Sequence, residues 1–138
     1  MNLYYKIWVD AIVKMRSLPA NKGLWKFYSI TFISTAMAVN LALIIALIQR
    51  HILRFTFYQI KIDIFPGTKI DALISFFILY FSIPLVINYF LIFKNNRYEL
   101  LIEKYKSYNG KLCAAYLVIS YFLPLILLYL SYFITKYF

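Results

Sequence analysis

Three stretches of this chain, Phe27 to Ile48, Ala72 to Phe93 and Leu112 to Ile134, each run for more than 20 residues without a charged side chain. At 1.5 Å of rise per residue each makes about 30–35 Å of helix, enough to cross the hydrocarbon core of a bilayer. Composition agrees. The 138 residues are 64% hydrophobic, 21% aromatic and only 14% charged, with a mean hydropathy of +0.74, against about 45–50% apolar and about 25% charged in a soluble domain. The expected class is an all-α integral membrane protein: a single membrane domain with three transmembrane helices (27–48, 72–93 and 112–134) preceded by an N-terminal amphipathic interfacial helix within residues 1–20.

That first segment differs from the spans. Leu3, Tyr4, Ile7, Trp8, Ala11, Ile12 and Met15 recur at spacings of three and four, with Lys6, Asp10, Lys14 and Arg16 between them. The pattern predicts a helix lying in the membrane interface, with Trp8 and the ring of Tyr4 at head-group level and Lys6, Lys14 and Arg16 outward as anchors. Pro19 ends it, and Asn21 to Gly23 turn into the first span.

The net charge is +10. In the absence of a nucleic-acid recognition motif, the basic excess is read as attraction to anionic lipid at the cytoplasmic face, not to nucleic acid. Lys and Arg number five before the first span, four in the 49–71 loop, five in the 94–111 segment and one, Lys136, after the last span. Ten against five predicts the N-terminus inside and the C-terminus outside. Heavy use of Ile, Lys, Asn, Tyr and Phe, all coded by AT-rich codons, suggests a low-GC bacterial genome, and with the three spans a bacterial cytoplasmic (inner) membrane is expected.

The two connections are patterned. In the extracytoplasmic loop, Phe55-Thr56-Phe57 and Ile60 to Ile64 alternate apolar and polar with period two before a Pro66-Gly67 turn, which suits an extended ribbon on the membrane or on a partner's sheet edge. The 94–111 segment reads as a short cytoplasmic helix or loop, with Tyr98, Leu101, Tyr105 and Tyr108 on one stripe and Asn109-Gly110 as a helix stop. Glu99 and Glu103 repel at i, i+4 unless a cation such as Lys106 relieves them.

Chemistry has little to work with. No Asp, Glu, Lys, Arg or His lies inside a span, so the signature of a proton relay or ion-coupled site is missing. Single Cys113 and His51 are too few for a metal centre, and no cofactor motif is present. Glu99 and Glu103 are the only closely spaced carboxylates, and such a helical pair is usually surface. Neither enzymatic activity, a metal nor a cofactor is expected.

Helix packing is where the sequence speaks. Ser34, Ala38, Ala42 and Ala46 at strict i+4 spacing make a small-residue stripe along the first span. Nearly opposite stand Ser29, Ala36 and Asn40, while Ile30, Ile33, Met37, Leu41, Ile44 and Ile48 form a bulky face assigned to lipid. Asn40 and Asn88 are amides that seek partners in hydrocarbon, and Pro84 and Pro124 predict kinks near the middle of their spans. The 14 Tyr and 13 Phe exceed what two interfacial belts need.

The favoured reading is a non-catalytic small inner-membrane subunit or accessory protein that packs against and stabilises a larger bacterial membrane complex. The alternative is self-association into a homo-oligomeric channel, lipid-handling or transporter unit with a cavity near Asn40, Asn88, Pro84 and Pro124.

Overall fold

The computed structural model describes residues 2–137, and every regular element among them is helical. Helix α1 (Asn2–Ser17) ends at Leu18, and Pro19, which has no N–H to lose at a first helical position, opens a 3₁₀ turn, Pro19–Asn21. Helix α2 (Trp25–Leu47) runs on through a π-helical turn, Ile48–Leu53. Residues 55–69 are irregular, so the period-two pattern does not form a strand there. Instead the backbone N–H groups of Phe57 and Tyr58 donate to Gln49 Oε1, and those of Ile64 and Phe65 donate to Asp71.

The second apolar rod is built from short pieces: α3 (Ile70–Phe76), a π turn (Phe77–Phe81), α4 (Ser82–Asn88) and a second π turn (Tyr89–Phe93). Left-handed Asn95 and Asn96 (φ 56° and 54°) break its axis before α5 (Arg97–Lys104). Helix α6 (Lys111–Tyr137) contains Pro124. Three helical runs, Trp25–Leu53, Ile70–Lys104 and Lys111–Tyr137, are long and apolar enough to cross a membrane.

Pro84, in α4, has no N–H to donate back into the π turn before it. The Tyr58 hydroxyl donates to the Leu79 carbonyl in that turn, at 2.6 Å, which pins the preceding loop to the rod.

Helix α2 is the centre of the molecule, packed on α4, α6 and α1. Its two small-residue faces meet different neighbours at their polar members, Ser34 bonding to Asn88 on α4 and Asn40 to Ser120 on α6, while Ala46 at the far end of the first face borders α6. The bulky face looks outward only in its second half, where Ile44 is 53% exposed; its first half is covered. Ile33 is fully buried, and Ile30 and Met37 pack on the same cluster of Trp8, Ile12, Ile92 and Cys113. That face lies in the wedge between α4 and α6, and α1 fills one end of the wedge.

The seat of α1 is the main correction to the sequence reading. Trp8, Val9, Asp10, Ala11 and Ile12 are at most 2% exposed. Five consecutive helical residues point all round the axis, so α1 is enclosed on every side at this level. It packs on α2, α6 and α5. Trp8 is therefore core, edge-on to Phe93 at 5.5 Å, and protein covers the face of α1 that the sequence reading assigned to the head groups. One apolar stripe would have needed only one covering surface; here α5 closes over the other.

Candidate functional site

The residues that most repay scrutiny are the polar ones buried between helices. Asn88 is fully buried at the C-terminus of α4. Its amide nitrogen donates to Ser34 Oγ at 2.9 Å and faces Met37 Sδ at 3.4 Å, while its oxygen accepts from the Tyr4 hydroxyl at 2.7 Å. One amide thus ties α4 to α2 and to α1. Burial pushes the Tyr4 phenol up to about 12, so it keeps the proton that it donates. Asn40 makes the equivalent link on the other side, its amide 2.9 Å from Ser120 Oγ. Such contacts average about 0.6 kcal/mol between helices in membranes.

A second cluster is one that sequence reasoning missed. Asp10, in the middle of α1, receives five hydrogen bonds. Oδ1 accepts from Ser107 Oγ (3.1 Å) and from the N–H groups of Tyr108 (2.6 Å) and Gly110 (2.9 Å). Oδ2 accepts from Leu112 and Cys113 N–H at 2.9 and 3.0 Å. The carboxylate caps the first turn of α6, where orphan N–H groups and the helix dipole favour a negative charge. Burial alone would raise its pKa; the bonds from Cys113, Gly110, Tyr108 and Ser107 outweigh that and hold the group below the ordinary carboxylate value.

Asn109 and Gly110 are both left-handed (φ 56° and 81°) and wrap the loop around this carboxylate, so the pair opens α6 and does not stop α5. A Cβ at residue 110 would also meet the Lys14 side chain at 2.8 Å. Two signals were available in the sequence. One is an acid inside an otherwise apolar run; the other is a span that starts after Gly110 with no Ser, Thr or Asp of its own to cap it.

Two of the three basic residues of α1 have partners in the protein. Lys14 Nζ donates to Asn109 at 3.2 Å. Arg16 bridges Glu99 at 2.9 Å and lies over the rings of Trp25 and Tyr98, at 4.7 and 5.5 Å. Arg16, not Lys106, is the cation that relieves the Glu99 and Glu103 pair. Lys6 is half-buried.

The remaining predicted positions are only partly brought together. Ser34 and Ala38 are buried, Ala42 is half-buried, and Ala46 is exposed. Asn40 and Pro84 border one groove of about 320 Å³ with Met37, Ile44, Ile83 and Tyr116. Asn88 and Pro124 lie outside it, and its walls are apolar apart from the Asn40 amide and the Tyr116 hydroxyl. Among the described residues no three His, Cys, Asp or Glu side chains gather as a metal site would require. Trp8 Nε1 and Ser29 Oγ are buried without a partner there. No protein-family model, curated protein or solved structure matches this chain.

Proposed function

We propose that this protein is a non-catalytic accessory subunit of a larger membrane complex, seated through the outward face of its last helix. The observation that carries this reading is a tyrosine stripe on α6. Tyr121, Leu125, Leu128 and Tyr132 follow one another at spacings of four, three and four, so they share a face, with Tyr129 beside it. All are exposed, and none of the three hydroxyls has a hydrogen bond among the described residues. Tyr121 stands ten residues into α6, about 15 Å along the axis and near the middle of a bilayer.

A phenol hydroxyl in hydrocarbon without a partner costs several kcal/mol on a water-to-alkane scale. A neighbouring protein that accepts these hydroxyls removes that cost, and Tyr is enriched where proteins meet. The amides weigh in the same direction. Asn40 and Asn88 are spent on helix-to-helix bonds inside the chain, which leaves a shared pore with little polar lining. The small-residue stripe is likewise committed internally at Ser34 and Ala38, so it is not the docking face.

The bacterial inner membrane and an inward N-terminus remain part of the proposal, supported by composition and by the Lys and Arg count. The test is photo-cross-linking in native membranes with benzoylphenylalanine at Tyr121 or Tyr129, against Val86 on α4 as the comparison face. The expected result is a discrete adduct with a second protein from the α6 positions only. Adducts with lipid alone, or with another copy of this chain, would overturn the reading, the latter in favour of a homo-oligomer.

A further inference from the structure

We infer that the end of the bundle opposite α1 holds an anionic phospholipid, with one acyl chain between α2 and α6 and its phosphate on Arg50 and Arg54. Helices α2 and α6 meet at the Asn40–Ser120 bond but leave a groove of about 500 Å³ further along, beginning at Leu127, three residues past Pro124. Ala46, the last member of the small-residue stripe, is exposed on its wall. The walls are mainly hydrocarbon, Leu43 and Leu47 from α2 and Leu127, Leu130 and Ile134 from α6, with Ser131 and Thr135 among them; the Thr135 hydroxyl is turned back onto the Ser131 carbonyl. In a bilayer, a slot of this composition between two helices accepts an acyl chain.

The mouth has the opposite character. Arg50 and His51 sit at one end of this groove, and Arg50 also borders an adjoining cavity of about 440 Å³ that Arg54 lines. Arg54 closes the π turn in the left-handed conformation, φ 58°, which is unfavourable for a residue with a side chain. Among the described residues neither arginine has an ion pair, the single one being Arg16 with Glu99 at the other end. The two acids of the 49–71 loop do not answer these arginines: Asp71 is engaged with the N–H groups of Ile64 and Phe65, and Asp63 has no ion pair there. An apolar slot with an uncompensated pair of guanidinium groups at its rim complements an amphiphile with a phosphate head, since guanidinium binds phosphate through paired N–H groups. A zwitterionic lipid fills the slot equally well but brings its own cation to the rim.

The test is native mass spectrometry of the full chain, stripped of lipid in mild detergent and offered equal phosphatidylglycerol and phosphatidylcholine with the same acyl chains. The expected result is one lipid retained per chain, with about a tenfold preference for phosphatidylglycerol. Arg50→Gln with Arg54→Gln should bring that preference close to one, while Lys22→Gln with Lys26→Gln, at the other end, should leave it intact. Ala46→Phe, which fills the slot without touching charge, should lower retention of both lipids; circular dichroism checks that each variant is folded. Equal retention of the two lipids by the unmodified chain, or a preference that survives the double arginine variant, would overturn the inference. Release of phosphatidylglycerol by millimolar inorganic phosphate would also overturn it, since the head group alone would then carry the binding.

Discussion

Five donors converge on the carboxylate of Asp10, and they come from residues 97 to 103 positions further along the chain. Because its pKa is held below the value of an unfolded aspartate, about 3.9, the group contributes stability that is fully present above that pH and is lost as pH falls through the native pKa. Thermal unfolding in detergent, followed through the emission of buried Trp8, should therefore show an acid limb below about pH 4. In Asp10→Ala that limb should flatten and the neutral-pH stability should drop by about 2 kcal/mol or more, from the lost cap and the stranded N–H groups. Asp10→Asn should fall between. An unchanged acid limb in Asp10→Ala would refute the assignment. Asp10 illustrates what the sequence could not convey: its charge stands out in a helical apolar pattern, but nothing local says that its partners lie at the start of the last span.

At the scale of elements, the helices themselves were legible and their seats were not. Periodicity in residues 2–15 announces a helix with an apolar face; it does not say whether lipid or protein covers that face, and here protein does, on all sides of Trp8 to Ile12. The two small faces of α2 were equally readable from i+4 spacing, because close approach of helices needs small side chains. Their assignment to α4 and α6 needed the tertiary bonds of Ser34 and Asn40. Pro84 signalled a lost hydrogen bond, yet the bond from Tyr58 to Leu79 depends on where a 15-residue irregular stretch happens to fold. Removing that hydroxyl in Tyr58→Phe should loosen the loop by about 1 kcal/mol, seen as roughly fivefold faster amide exchange across residues 55–64 with the helices unchanged. No change in exchange would show that other contacts hold the loop.

As a whole the molecule is one central helix, α2, with α4 and α6 on its two sides and α1 wedged in at one end. This leaves the outer helices broadly apolar and exposed, which a neighbouring protein or lipid must cover. It also ties the beginning of the chain to its far end. The cradle for α1 is completed by residues 107–113 and by α6, so at about 5–20 residues per second of synthesis the first helix waits about 5–20 s before its binding site exists. During that interval Trp8, Ile12 and the Asp10 carboxylate have no home, and the nascent chain presents a recognisable mark of incompleteness. A chain stopped after residue 106 should carry an undocked α1, open to trypsin at Lys14 and Arg16 and with red-shifted Trp8 emission, where the full chain is protected. Docking of α1 thus depends on α6 being in place, and protection of Lys14 and Arg16 would report that it is.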